Sequence, residues 1–266
     1  MKILYTGDIM GKVGRQVIKQ LLPELRREYG VDFVVAQGEN LSHGKGMAIN
    51  HTQEMLEAGV DFFTGGNWTL HRPEIIPWLE DPAKPVIRPA NYKAGTPGRG
   101  YKVAETPFGK IQVISLLGQI VGAFPADIDN PLKVVDAILE ETKADPYAAR
   151  IVNFHGDFSS EKLVIGQYLD GRVTAVVGDH WHVPTADAKL LPGGTAHITD
   201  VGMVGSHDSC LGVKTDVIVK RWLTDQPSRN ELETGGRMWF CGLLIETNGA
   251  SGQAKAVQQI IKFVEF

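Results

Sequence analysis

Asp8, Glu39, Asn40, Asn67, His155, His180 and His182 each stand just beyond a short apolar run. Asp8 follows residues 2–6, Glu39 and Asn40 follow 31–36, and Asn67 follows 60–64 and the pair Gly65-Gly66. His155 follows 150–154, and His180 and His182 follow 172–177 and Gly178. If those runs are parallel strands, their C-terminal ends share one edge, the place where such sheets bind ligands. The side chains gathered there offer oxygen and imidazole donors and no thiolate. That set suits Mn, Fe, Zn or Ni ions better than an iron–sulfur cluster. Taken singly, the residues have plainer uses: Asp8 as a helix N-cap, Glu39-Asn40 and Asn67 as turn residues. His180-Trp181-His182 is more pointed, because alternate residues of an extended segment face the same way and two imidazoles can then reach one cluster. Together the residues favour a metal site. Asp200 is expected to be structural or to orient a metal-bound imidazole, and Asp179, beside the two histidines, could do likewise. His43 and His51, near the loop after Glu39, fit exposed polar roles or a pocket lining.

The elements that must position these residues follow from periodicity. Residues 2–6, 31–36 and 60–64 read as strands, separated by helical stripes over 13–29 and about 50–58. Pro23 falls inside the first stripe and is expected to kink or divide it. Strand–helix–strand–helix–strand predicts a parallel sheet covered by helices. Further on, 110–117 reads as a strand that could pair with 100–104, then helix 131–143, strand 150–154, helix 161–169 and strand 172–177. The last third reads as strands at 196–199, 212–222, 239–246 and 256–264, with a surface loop over 225–237. The loop over 95–100 lacks the Gly-Lys-Ser/Thr ending of a phosphate-binding P-loop and is expected to be structural or beside the substrate. No linker or repeat divides the chain, so one domain over 1–266 is expected, with two stacked sheets and helices outside.

Composition narrows the class. The 266 residues are 43% hydrophobic and 22% charged, an ordinary globular balance. Lys+Arg 27 against Asp+Glu 31 gives a net charge of −4, which argues against gripping long nucleic acid. Cys210 and Cys241 are the only cysteines and are far apart in sequence, so neither a disulfide scaffold nor a thiolate zinc site is expected. No apolar run approaches a signal peptide or a membrane span. A soluble, cytoplasmic protein without membrane partners is expected.

The chain resembles the YmdB-like family of the calcineurin-like metallophosphoesterase superfamily. The matching pieces are Gly7-Asp8-Ile9, Gly38-Glu39-Asn40, Gly66-Asn67, Arg88-Pro89-Ala90-Asn91-Tyr92, Gly95-Thr96-Pro97-Gly98, the His155 segment with Ser160-Glu161-Lys162, residues 177–187 around the two histidines, and residues 199–203. They come in family order and cover the chain from its start to about Asp208. The resemblance implies an α/β protein, a four-layer α/β/β/α sandwich of two mixed sheets. It also implies two divalent or mixed-valence transition metals, Mn or Fe foremost, with Zn, Ni or Mg as alternatives. By motif position, Asp8, Glu39, Asn40 and His182 would hold one metal, and Glu39, Asn67, His155 and His180 the other, so that Glu39 bridges. The implied reaction is hydrolysis of a small phosphodiester, a 2′,3′-cyclic nucleotide or similar RNA end, through attack by a metal-held hydroxide. A small phosphodiester or nucleotide is the implied partner, together with further copies of the chain in a homo-oligomer.

One position departs from that family. The family has Asn-His after the third strand, with the histidine protonating the leaving oxygen; here Asn67 is followed by Trp68. Indole donates a hydrogen bond but exchanges no proton at neutral pH. Trp181 and Asp179 also replace threonines common in the family, and Val204 replaces another. His71 is the nearest substitute acid in sequence. The alternative is a catalytically weakened metal- and nucleotide-binding regulatory protein.

Overall fold

The computed structural model describes residues 1–121, 124–125, 127–248 and 251–265. Its strands are β1 (Lys2–Thr6), β2 (Asp8–Ile9), β3 (Phe33–Gln37), β4 (Phe62–Thr64), β5 (Tyr101–Thr106), β6 (Gly109–Leu117), β7 (Ile120–Val121) and β8 (Phe124–Pro125). They continue with β9 (Ala149–His155), β10 (Ala175–Asp179), β11 (Lys189–Leu190), β12 (Ala196–Ile198), β13 (Met203–Ser206), β14 (Arg237–Asn248) and β15 (Gln253–Glu265). The α-helices are α1 (Gly11–Tyr29), α2 (Ile49–Glu57), α3 (Ile76–Glu80), α4 (Pro131–Glu141), α5 (Ser159–Tyr168) and α6 (Thr215–Thr224).

Side-chain alternation along the central strands decides the layering. Ile3 and Tyr5 of β1 and Phe33 and Val35 of β3 point into one apolar cluster, while Leu4, Val34 and Ala36 point into another. The first cluster is the interior between two sheets, completed by Ile111, Val113, Ile151, Ala175 and Val177 from the second sheet. The other lies under α1 and α2, where Val17, Ile18, Leu22 and Met55 cover the first sheet. The far face of the second sheet has its own cluster, in which Val152, Phe154 and Val176 meet Val135 and Ile138 of α4 and Ile165 of α5. Strands buried on both faces read as apolar runs, as 33–36 does. Each such fully buried aliphatic side chain contributes ~1.5–3 kcal/mol. The result is the four-layer α/β/β/α sandwich that the sequence led us to expect.

Both sheets are mixed. The first runs β2-β13-β14-β1-β3-β4, with β15 also on β14, and β1, β3 and β4 are mutually parallel. The second runs β11-β12-β10-β9-β6-β5, with β6, β9, β10 and β12 parallel. The expected pairing of 100–104 with 110–117 is present as the antiparallel pair β5–β6.

One local expectation fails, and the division of α1 at Pro23 does not occur. Residues 212–222 do not form a strand; Thr215–Thr224 is a helix, α6, none of whose residues is buried. Val217, Ile218 and Val219 favour a strand only where a sheet is at hand to pack them, and α6 has none. Pro23 neither divides nor ends α1, which runs unbroken over 19 residues. Pro23 and Lys19 are both exposed, so the Lys19 carbonyl that loses its helical partner is free to bond water. Among the described residues no helix is long and apolar enough to cross a membrane.

Candidate metal centre

Parallel strands of both sheets deliver their C-terminal ends to one place. Glu39, after β3, and His155, the last residue of β9, come from different sheets, yet Glu39 Oε1 and His155 Nε2 are 3.0 Å apart. His180, just past β10, completes a group with them: one ligand atom from each of the three lies within 4.8 Å of the others. Asn67, after β4, brings Oδ1 to 3.0 Å from His155 Nε2. On the other side, Asp8 begins β2; its Oδ2 accepts the His180 backbone N–H at 3.3 Å, and its Oδ1 lies 3.8 Å from His182 Nε2. Asn40 follows Glu39 directly and its amide donates to the Gly44 carbonyl at 2.8 Å. Asp8, Glu39, Asn40, His155 and His182 are all buried.

Two oxygens reveal what the site is built to receive. Among the described residues, Asp8 Oδ1 and Asn40 Oδ1 are buried side-chain acceptors without a hydrogen-bond partner. A buried unsatisfied acceptor costs ~1–3 kcal/mol, more when charged. Burial, then the nearby Asp179 carboxylate, pushes the Asp8 carboxyl well above its ordinary range. A cation placed between these groups would remove both penalties, so the donor set fits a metal ion. Gly66 belongs to the same construction: a Cβ there would overlap Glu39 Oε2 and the His155 ring, so only glycine lets the backbone pass this close.

The imidazoles differ in electrostatic setting. Burial pushes His180 down to about 4, helped by the neighbouring His155 charge, and burial likewise lowers His182. Both therefore present neutral rings. His155 goes the other way: although burial disfavours its charge, Glu39 and Asp179 raise it well above the ordinary histidine value. Burial opposes the Glu39 charge, but His155 and the Trp68 backbone N–H more than offset that and hold the carboxyl below its usual range.

His180-Trp181-His182 is not the extended segment expected. β10 ends at Asp179, and His180 and His182 have φ of 101° and 63°. The two imidazoles reach the same site through a strained turn rather than through strand alternation. Asp200 holds that turn by accepting the Trp181 backbone N–H at 2.9 Å. His182 Nδ1 is paired with the Leu211 carbonyl at 3.1 Å, which leaves Nε2 for the site.

Asp179 has the larger positioning role. Its Oδ1 is 2.7 Å from His155 Nδ1, and its Oδ2 accepts from Tyr5 Oη at 2.9 Å, Asn153 Nδ2 at 2.6 Å and Gln37 Nε2 at 3.1 Å. That arrangement orients the His155 ring with Nε2 toward Glu39 and Asn67. Sequence reasoning missed Tyr5, Gln37 and Asn153, which lie inside apolar strands. It also assigned nothing to Lys162, a fully buried lysine that donates to the Asp179 carbonyl and to Asp200 Oδ2, both at 2.7 Å, with the Trp181 ring 4.1 Å away. Asp157 is a further addition, 3.2 Å from His180 Nε2.

Trp68 is half-buried beside the centre, its backbone N–H donating to Glu39 Oε2 at 2.9 Å. Its ring stands edge-on to His71 at 5.3 Å, and Lys45 Nζ lies 4.0 Å from its face. His71 itself is exposed, and Trp68 touches both it and Glu39. Away from the site, Arg88 hydrogen-bonds the carbonyls of Pro89, Thr96 and Pro97 and so pins the 95–100 loop.

With this geometry in hand, likeness to known proteins becomes informative. A family model described as YmdB-like protein matches residues 4–260. A 2′,3′-cyclic-nucleotide 2′-phosphodiesterase of Bacillus subtilis (strain 168) is 38% identical over 262 residues, 98% of this chain and 97% of that protein. A crystal structure described as a novel phosphatase, from Mycoplasma pneumoniae, superposes with a TM-score of 0.91 at 31% identity, covering 99% of this chain and 93% of that one. A hypothetical protein from Thermus thermophilus superposes with a TM-score of 0.89 at 34% identity, each chain covered to 99%.

Proposed function

The chain belongs to the YmdB-like protein family, and on that premise we propose that it is a metal-dependent phosphodiesterase acting on a small phosphodiester, a 2′,3′-cyclic nucleotide or similar RNA end, within one domain spanning 1–266. The observation that carries this reading is the pair of unpartnered buried oxygens, Asp8 Oδ1 and Asn40 Oδ1, beside the Glu39–His155–His180 group. Asp8, Glu39, Asn40 and His182 would hold one divalent ion, and Glu39, Asn67, His155 and His180 the other. Such a pair of ions, when bound, polarises phosphoryl oxygens and makes a nucleophile of water at neutral pH.

The chain's own groups then divide the work. Glu39 is the anion common to both halves and offsets their charge. Asn40, Asn67 and the neutral imidazoles of His180 and His182 add donors without adding negative charge, leaving the site attractive to a phosphodiester. Asp179 keeps Nδ1 of His155 occupied so that Nε2 faces the site, and Lys162 with Asp200 holds the turn carrying His180 and His182. Trp68 occupies the place of the proton donor and can supply no proton to a leaving oxygen.

Purified protein supplied with Mn²⁺ is expected to hydrolyse bis-p-nitrophenyl phosphate, and to open 2′,3′-cyclic AMP to the 3′-phosphate more slowly. Absence of metal-stimulated hydrolysis of either diester would leave the metal- and nucleotide-binding regulator, the reading that Trp68 favours.

Metal uptake should also release protons. His155 is raised well above the ordinary histidine value without metal, so at pH 7 its protonated form competes with an ion for Nε2. Affinity should therefore fall as pH falls through neutrality, and binding at pH 7 should release about one proton or more per chain. Calorimetric Mn²⁺ titrations in buffers of different ionisation enthalpy measure this. Enthalpies independent of the buffer would contradict the placement of His155 in the site.

A further inference from the structure

A cavity lies against loop 40–46, the loop that begins at Asn40. It encloses about 760 Å³ and is lined by Lys12, Lys45, Arg72, Arg221 and Arg229, with His43 and His71 beside them and no Asp or Glu in its lining. Among the described residues none of those five cations is in an ion pair: Arg72 donates to the Lys45 and Ser42 carbonyls, Arg221 to Ser228 and Asn230, and Lys45 stands over the Trp68 ring. In a chain of net charge −4, so many unpaired cations around one hollow form a local positive field that neutral packing does not explain. Its lining connects to the site through the backbone. Loop 40–46 carries Asn40 at one end and Lys45 near the other, and the Gly11 backbone N–H, next to Lys12, donates to the Asn40 carbonyl at 3.0 Å. Trp68 links the site to a residue of the cavity lining, with its backbone N–H on Glu39 and its ring under Lys45.

We propose that this cavity binds a second phosphate of the substrate, so that the preferred substrates are short nucleotides bearing a further phosphate besides the one under attack. The inference rests on the reading of the neighbouring centre as a phosphodiesterase site. The volume lies within the range of ligand pockets. Arg72 and Arg221 are held by carbonyl and amide oxygens, which orients them, while Lys12 and Arg229 are exposed and without hydrogen bonds to other described residues. The second phosphate could be a 5′-phosphate or an internucleotide phosphate, and the experiment separates them.

Calorimetry on the Mn²⁺-loaded protein would compare 3′-AMP with adenosine 3′,5′-bisphosphate and with the dinucleotide ApAp. At least one of the two-phosphate ligands should bind about ten- to a hundredfold more tightly than 3′-AMP. That advantage should shrink with added salt and fall toward one in the double variant Lys12→Gln/Arg229→Gln, whose exposed positions spare the core. Which of the two ligands gains identifies the source of the second phosphate. Equal affinities for all three, or an advantage that survives the double variant and salt, would overturn the assignment. Cyclic-nucleotide hydrolysis measured in parallel separates the failures. Hydrolysis with no second-phosphate advantage removes the cavity proposal alone, whereas an advantage without hydrolysis keeps the cavity and removes the proposed reaction.

Discussion

Trp68→His should raise kcat/KM for 2′,3′-cyclic AMP by ~10²–10⁴-fold, the usual worth of general acid–base catalysis. A ribose hydroxyl is a poor leaving group and must be protonated as it departs; p-nitrophenolate leaves without a proton. The same substitution should therefore change hydrolysis of bis-p-nitrophenyl phosphate little. Trp68 is well placed for this exchange, because its backbone N–H already bonds Glu39 Oε2. The gain will fall short of the upper figure if the loss of Lys45 stacking on the indole loosens loop 40–46. The measurement is kcat/KM for both substrates at matched metal content. Brisk cyclic-nucleotide turnover by the unsubstituted protein, unchanged in Trp68→His, would show that another acid is in use, and His71→Asn would then test the nearest one.

The second large effect is expected at Glu39. Its carboxylate approaches His155 Nε2 at 3.0 Å and is the anion assigned to both metals. Glu39→Ala would leave two cations repelling one another across a shared site, and both should be lost. Metal-dependent phosphodiesterase activity should drop by ~10³-fold or more, since the ions are worth several kcal/mol to the transition state. Asn40→Ala removes a neutral donor whose place water can take, so it should weaken one ion and retain the other. Glu39→Gln, nearly isosteric, separates loss of charge from loss of packing. Metal content by elemental analysis, with circular dichroism as a check on folding, gives the comparison. Equal retention of metal in Glu39→Ala and Asn40→Ala would end the bridging assignment.

Much of this arrangement is legible in the sequence because parallel strands announce themselves. Runs such as 33–36 are apolar without interruption, and polar residues stand a few positions beyond them. Asp8, Glu39, Asn67 and His155 can thus be placed at one rim from sequence alone. The remainder depends on contacts between strands and sheets. Asp179 stands next to His180 in sequence, but its hold on His155 depends on register between β9 and β10, which pairs Asp179 with His155. Tyr5, Gln37 and Asn153 are polar exceptions inside buried strands, and only the second sheet shows that they converge on Asp179. Lys162 had a visible signal, a lysine on the buried side of α5, whose burial is explained by the Asp179 carbonyl and Asp200. The basic cavity was out of reach because its cations come from α1, loop 40–46, the turn at 71–72 and the segment 221–234. The strand expected over 212–222 failed for the complementary reason. Its β-branched residues carry a local preference, but among the described residues α6 has none buried against a sheet.

In the proposed site one rim would hold two ions, with Glu39 common to both. Elemental analysis of protein saturated with Mn²⁺ and then freed of excess metal tests it most directly. Two ions per chain are expected, because Asp8, Asn40 and His182 on one side and Asn67, His155 and His180 on the other each form a donor group that Glu39 completes. A single ion per chain under saturating Mn²⁺, or none, would contradict it.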